Sequence, residues 1–227
     1  MSVFVPISVA CPSCSKPVQF RSVLSVNADR RPDLRDEILD GSFQRETCGA
    51  CGTAFRMAPD FTYLDIARGQ MLVVRPLAVL GDWAEYEAAA NAIFERGYGG
   101  AAAPLAREIG NRLKLRLVFG WQALEEKLRI EDCGLDDVQV ELLKAALVRL
   151  SAGHAFSEDR ELRLMERTGS DLAFAWVTSA DGAVLEDFQV PEQAYRDIAT
   201  QSEWEPLRTE LAANRFVDLN RLFMAVP

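Results

Sequence analysis

Two short cysteine pairs, Cys11-Pro-Ser-Cys14 and Cys48-Gly-Ala-Cys51, constrain this chain more than anything else in it. Two cysteines three positions apart can turn as a tight knuckle and aim both sulfurs at one point. Two such knuckles complete a tetrahedron, the arrangement in which zinc takes four thiolates at about 2.3 Å. The 33 residues between the pairs must then leave and return to one place. The local residues suit this. Pro12 stiffens the first knuckle, and Gly52 follows the second pair, where a positive φ is usually needed. Ser15 holds the matching place after the first pair. Redox dithiols, or iron in the same cage, are the competing readings, because four thiolates do not exclude iron. With only Cys133 left over, two C-x2-C pairs point to zinc. Four thiolates fill the coordination shell and leave no position for water or substrate, so such an ion is structural. They also leave about −2 of charge. Lys16, Arg21, Arg45 and Arg56 could offset it, although ordinary surface charge is the simpler account of them.

Composition sets the wider frame. A chain of 227 residues with 49% hydrophobic residues can bury a core of its own. The start, Met1-Ser-Val-Phe-Val-Pro-Ile, has no basic segment before an apolar one, so a secretory leader is not expected. No apolar run approaches the roughly 20 residues that span a bilayer. These features lead to the expectation of a soluble, cytoplasmic protein with no membrane partner, in a compartment that keeps thiols reduced. Charge is uneven. Residues 1–78 carry 9 Lys and Arg against 8 Asp and Glu, and the remainder carries 16 against 26. The net charge of −9 therefore belongs to the C-terminal part, and an acidic surface disfavours nucleic acid. A local basic patch beside the cysteines, from Lys16, Arg21, Arg45 and Arg56, remains the one opening for it.

Periodicity predicts an α+β chain. Residues 3–10 and 18–26 read as extended segments and 32–40 as a short helix with proline in its first turn, ended by Gly41. Strands follow at 43–47, 61–67 and 70–75, the last two joined by a turn at Arg68-Gly69. Trp83 to Gly97 carries an apolar face at helical spacing. Residues 105–112 read as helix and 113–119, which alternate apolar and basic residues, as a strand; a continuous helix over 104–128 competes. Val138–Leu150 reads as a helix with Leu142, Leu143, Leu147 and Leu150 on its buried side. Residues 162–167, 172–178 and 184–190 form a meander with a hairpin at Asp181-Gly182. Helices complete the chain at 191–200 and 203–213. The expected organisation is a zinc-ribbon-like β unit with an inserted helix over 1–78. An acidic α+β part over 79–227 follows, with a meander and several helices, packed with the first as one body or separate from it.

The cysteine motifs bring a family into view. Cys11-Pro12-Ser13-Cys14, Ser25-Val26-Asn27, Pro32-Asp33-Leu34, Gly41, Cys48-Gly49-Ala50-Cys51-Gly52, Tyr63-Leu64-Asp65 and Pro76 together resemble the CpXC-domain proteins of bacteria and archaea. So do Glu126-Lys127-Leu128-Arg129-Ile130, Gly134-Leu135-Asp136-Asp137 and Glu141-Leu142-Leu143-Lys144. Gly49 departs from the proline of the family's name, and Ser15 replaces a common glycine; neither removes a ligand. The likeness covers the N-terminal unit well and 125–147 moderately. It implies the metal site and assigns no reaction.

Other candidates have plainer explanations. His154 is the single histidine, and a catalytic pair with Cys133 needs partners that the sequence does not specify. Asp136-Asp137 could be paired carboxylates on a metal, but Asp136 with Gln139 fits a helix capping box. The glycines at 97, 99 and 100 follow no strand and lack phosphate-loop spacing. No catalytic or cofactor-binding set stands out. The expected function is a non-enzymatic zinc-stabilised scaffold or interaction module whose partner is another protein or a second copy. A zinc-ribbon regulator touching nucleic acid or the transcription machinery is the alternative, and an enzyme with a carboxylate site comes last.

Overall fold

Cysteine knuckles sit at the ends of strand pairs. In the computed structural model, which describes residues 2–150 and 159–224, β1 (Val3–Ala10) and β2 (Pro17–Asn27) form an antiparallel hairpin around the first knuckle. β3 (Arg45–Thr47) and β4 (Ala54–Arg56) form a second, short hairpin around the other. β4 has only three residues and was not legible as a strand. Between the hairpins, α1 (Pro32–Leu39) has its proline in the first turn and ends at Gly41, whose φ is 76°. That conformation suits glycine.

β2 buries Val18, Phe20, Val23 and Val26. It pairs in parallel with β5 (Phe61–Asp65), which turns back antiparallel into β6 (Gln70–Arg75). Gly69 in that turn has φ 68°, and a Cβ there would stand 2.8 Å from the Arg112 carbonyl oxygen. Asp65 ties Tyr63 to the same turn. Asp65 accepts from the Tyr63 hydroxyl at 3.3 Å and from the Arg68 backbone N–H at 2.9 Å.

The run at 113–119 is a strand, β7 (Lys114–Phe119), between helices α3 (Pro104–Gly110) and α4 (Gly120–Asp132). Gly120, the first residue of α4, turns the chain out of β7 at φ 82°, so the continuous-helix alternative fails there. β7 pairs in parallel with β6, giving the order β1-β2-β5-β6-β7. Residues Gln70–Val74 of β6 are buried without alternation, as a strand with neighbours on both edges and cover on both faces requires. α2 (Trp83–Tyr98) buries Trp83 and Ala90, and its Tyr86 meets Phe119 edge to face.

Contacts divide the chain into two compact units, Met1–Gly120 and Trp121–Pro227. The first unit's sheet thus takes in a strand, β7, from beyond residue 78. In the second unit, α5 (Asp137–Leu150) packs with an antiparallel meander of β8 (Arg160–Thr168), β9 (Asp171–Thr178) and β10 (Val184–Pro191), ordered β10-β9-β8. Asp181-Gly182 makes the expected hairpin, with Gly182 at φ 76°. α6 (Glu192–Thr200), α7 (Glu205–Ala213) and a five-residue α8 (Leu219–Phe223) complete the unit. Its core includes Leu142, Leu143, Phe174, Trp176, Leu211 and Val217. Leu150 was expected in that core and is instead 81% exposed, because it is the last residue of α5. No helix among the described residues is long and apolar enough to cross a membrane.

Candidate metal centre

The two knuckles are the same turn built twice. In the first, Cys11 N–H donates to the Lys16 carbonyl and Ser15 N–H donates to the Cys11 carbonyl, both at 2.9 Å. In the second, Cys48 N–H donates to the Thr53 carbonyl at 2.9 Å and Gly52 N–H to the Cys48 carbonyl at 2.8 Å. Both turns need a left-handed residue after the second cysteine, and Ser15 (φ 59°) and Gly52 (φ 75°) supply it. Serine does so at a cost of about 1 kcal/mol that glycine avoids. This is why the serine departure leaves the site intact.

The four sulfurs converge. Cys11, Cys14, Cys48 and Cys51 place their Sγ atoms within 4.8 Å of one another. Cys11 and Cys51 approach to 3.7 Å, as do Cys14 and Cys48, and both contacts cross from one knuckle to the other. A tetrahedron with metal–sulfur arms of about 2.3 Å has edges of about 3.8 Å, so the donor set fits a single four-coordinate ion. Cys11 and Cys48 are buried among Val9, Val18 and Phe55, while Cys14 is half-buried and Cys51 exposed.

The protons on these thiols are unequal. The Cys51 thiol contacts the Thr53 hydroxyl at 3.3 Å. Once ionised it becomes the acceptor of that hydroxyl and of the Thr53 backbone N–H, which draw it down to about 6. Cys14 goes the other way. The Lys16 N–H favours its thiolate, but competition from Cys51, burial, Cys48 and Cys11 pushes it up to about 12. Four like donors so close cannot all ionise alone, and a cation at their centre removes the conflict. These four residues can hold a metal ion.

Two of the basic residues near the site are committed to backbone. Arg45 donates to the Gly41 carbonyl, and Arg56 donates to those of Phe43 at 2.9 Å and Ile38 at 3.4 Å, closing the C-terminal end of α1. The Arg21 guanidinium lies 5.3 Å over the Phe4 ring. Lys16 is exposed.

A second cluster lies in the C-terminal unit and has no signature in sequence spacing. Glu126, Glu141 and Asp218 bring carboxylate oxygens within 4.8 Å of one another, all buried. Cations of the chain itself occupy the space. Lys144 Nζ lies 3.0 Å from Glu126 and 2.8 Å from Glu141, and Lys127 bridges Glu141 and Asp137 at 3.3 and 3.4 Å. Arg163 reaches Glu126 and Asp218 at 2.7 Å and Glu161 at 2.6 Å. Glu126 also accepts the Leu164 backbone N–H at 2.7 Å, satisfying a donor on β8, an outer strand of its sheet. Burial alone would raise Glu126, but Lys144, Arg163 and Lys127 more than offset it and hold the carboxyl below its usual range. Asp218 is lowered against the same desolvation, chiefly by Arg163. Glu141 is raised, because burial outweighs its lysines.

The remaining candidates resolve simply. Asp136 caps α5, accepting the Gln139 N–H at 3.0 Å. The return arm of the capping box is missing. The Asp136 N–H donates instead to the Tyr195 hydroxyl at 2.9 Å, and the Gln139 amide donates to the Tyr195 carbonyl. Asp137 belongs to the buried network. Cys133 is half-buried and its thiol is raised by desolvation, the opposite of an activated nucleophile. His154 lies outside the described residues. Gly99 only terminates α2, donating its N–H to the Glu95 carbonyl.

A family model described as CpXC protein matches residues 9–144, more than half of the chain. The chain belongs to the CpXC family. That match spans all four clustered cysteines and the Glu126, Lys127, Glu141 and Lys144 part of the buried network; Arg163 and Asp218 lie beyond it. No curated protein and no solved structure matches the chain.

Proposed function

We propose that the CpXC knuckles hold one structural zinc ion and that the protein is a non-enzymatic interaction module stabilised by it. The observation that carries this is the convergence of four cysteine sulfurs within 4.8 Å, because a full thiolate shell leaves no open coordination position. Such a site supplies folding energy, on the order of 10 kcal/mol at neutral pH. The second cluster gives little to the alternative of a carboxylate active site. Its carboxylates are buried and tied to Lys127, Lys144 and Arg163, so no substrate reaches them.

An interaction role draws support from β10. It is an outer strand of its sheet and exposed along most of its length, with Val184 and Leu185 more than half exposed. Such an edge offers unpaired backbone groups to a protein strand. Arg45 and Arg56, two of the four basic residues behind the nucleic-acid alternative, also hold backbone carbonyls. The test is native mass spectrometry of the purified protein, with and without cell extract captured on it. Zinc-loaded mass together with self-association or a reproducible protein partner is expected. A zinc-free chain that stays a lone monomer, or one that binds oligonucleotide at 50 mM salt in preference to protein, contradicts the reading.

A further inference from the structure

One of the four cysteines differs from the rest in exposure. Cys51 is exposed, whereas Cys11 and Cys48 are buried and Cys14 is half-buried. An oxidant arriving from solvent therefore meets Cys51 first. The sulfur at its side, Cys11 Sγ at 3.7 Å, belongs to the other knuckle. Cys48, which shares a knuckle with Cys51, has its own partner across the site in Cys14, also at 3.7 Å.

We propose that Cys51 is a modification site for peroxides and that Cys11 resolves the product, leaving a disulfide that joins the two knuckles. This rests on the four-thiolate zinc reading. In the first step the Cys51 thiolate attacks one peroxide oxygen. The S–O bond forms, the O–O bond breaks, and the departing hydroxide takes a proton to become water. In the second step the Cys11 thiolate attacks the Cys51 sulfur. The S–S bond forms, the S–O bond breaks, and the second hydroxide leaves as water after protonation. Two thiolates, one hydrogen peroxide and two protons thus give one disulfide and two waters, with two electrons passing from sulfur to peroxide. With Cys11 and Cys51 joined, only Cys14 and Cys48 would remain as donors, and a bound metal would be released.

The geometry favours this bridge. The sulfurs must close from 3.7 Å to about 2.05 Å. The new bond then closes the chain between Cys11 and Cys51 at the point where the metal had closed it. Cross-links over such loops stabilise mainly by limiting the unfolded chain, so the N-terminal unit stays folded after the metal has gone. A bridge from Cys48 to Cys51 would close only one knuckle and leave the hairpins unjoined.

The experiment uses the full chain with Cys133→Ser, which removes the spare thiol without touching the site. Zinc content is measured, stoichiometric hydrogen peroxide is added, released metal is followed with a chromogenic chelator, and the bridge is mapped by tandem mass spectrometry. One zinc released per disulfide, a Cys11–Cys51 bridge, and far-ultraviolet circular dichroism retained by the oxidised protein are expected. The same protein reduced and treated with chelator should lose that signal in part. A Cys48–Cys51 bridge, oxidation beginning at Cys14, or a Cys51 that stays alkylatable after peroxide overturns the proposal. Zinc-free starting protein contradicts the zinc reading itself, and the mapped bridge still decides the pairing.

Discussion

The two units meet one need by opposite means. The N-terminal unit brings two distant turns together through four cysteine sulfurs that could hold a cation from outside. The C-terminal unit joins α4, α5, β8 and the start of α8 with buried carboxylates whose cations come from the chain itself. If the first holds its ion as proposed, its strength depends on a metal that can be removed. The second is permanent but depends on every partner, since a buried charge deprived of its mate is costly. An external cation makes a switchable staple, and an internal one makes a fixed lock.

Removing the metal should produce the largest difference between the units. A strong chelator under reducing conditions is expected to raise amide hydrogen exchange throughout 9–60, because the free energy of a structural site is folding free energy, on the order of 10 kcal/mol. Exchange in β8 and β9 should change far less. Equal loss of protection in both units would break the contrast.

Breaking the lock ranks next. Lys144→Met leaves Glu126 and Glu141 facing each other with fewer cations and should cost about 3–5 kcal/mol, read as a lower urea midpoint. The Trp83→Phe background makes this specific, since the remaining tryptophans, Trp121, Trp176 and Trp204, all lie in the second unit. A loss below about 0.5 kcal/mol, the level of an ordinary surface change, would show that the network is ornamental.

Acid should loosen the lock from a definite side. Glu126 and Asp218 titrate lower in the folded unit than in the unfolded chain, where carboxyls ionise near about 4. Their stabilisation is therefore complete above that value and is lost as pH falls toward the folded pKa values, where both states are protonated. Glu141 acts with opposite sign: its raised pKa costs stability as pH climbs through the carboxyl range. Asp218→Asn in the same background should lower stability at pH 7 and flatten the slope between about pH 3 and 5. An unchanged slope would remove Asp218 from the account.

The smallest effect sharpens rather than divides. Asp136→Ala removes the α5 cap and should cost about 1 kcal/mol, whereas Leu150→Ala at the exposed helix end should stay within about 0.5 kcal/mol. Thermal midpoints of the two variants decide it.

The cysteine cluster was legible and the lock was not, for a physical reason. Ligands in a knuckle are neighbours in sequence, so Cys11 with Cys14 and Cys48 with Cys51 announce a shared target before any fold is known. Even the left-handed position after the second pair could be read from Gly52. Lys144 and Glu126 are 18 positions apart, and Arg163 and Asp218 55; nothing local marks such charges as buried. Glu126, Lys127, Glu141 and Lys144 entered only through the family likeness. The same limit applies to strands. The alternation of 113–119 revealed a strand, but its parallel pairing with β6, which carries the first unit past residue 78, is a long-range choice. β4 and α8 were missed because three and five residues hold too little period to detect.

The central claim is one divalent ion enclosed by four sulfurs. Elemental analysis of the protein purified without added metal, alongside Cys48→Ser, tests it most directly. The account predicts close to one zinc per chain in the native protein and a marked loss in the variant. Far less than one equivalent in the native protein, iron in place of zinc, or full zinc retention without Cys48 would contradict it.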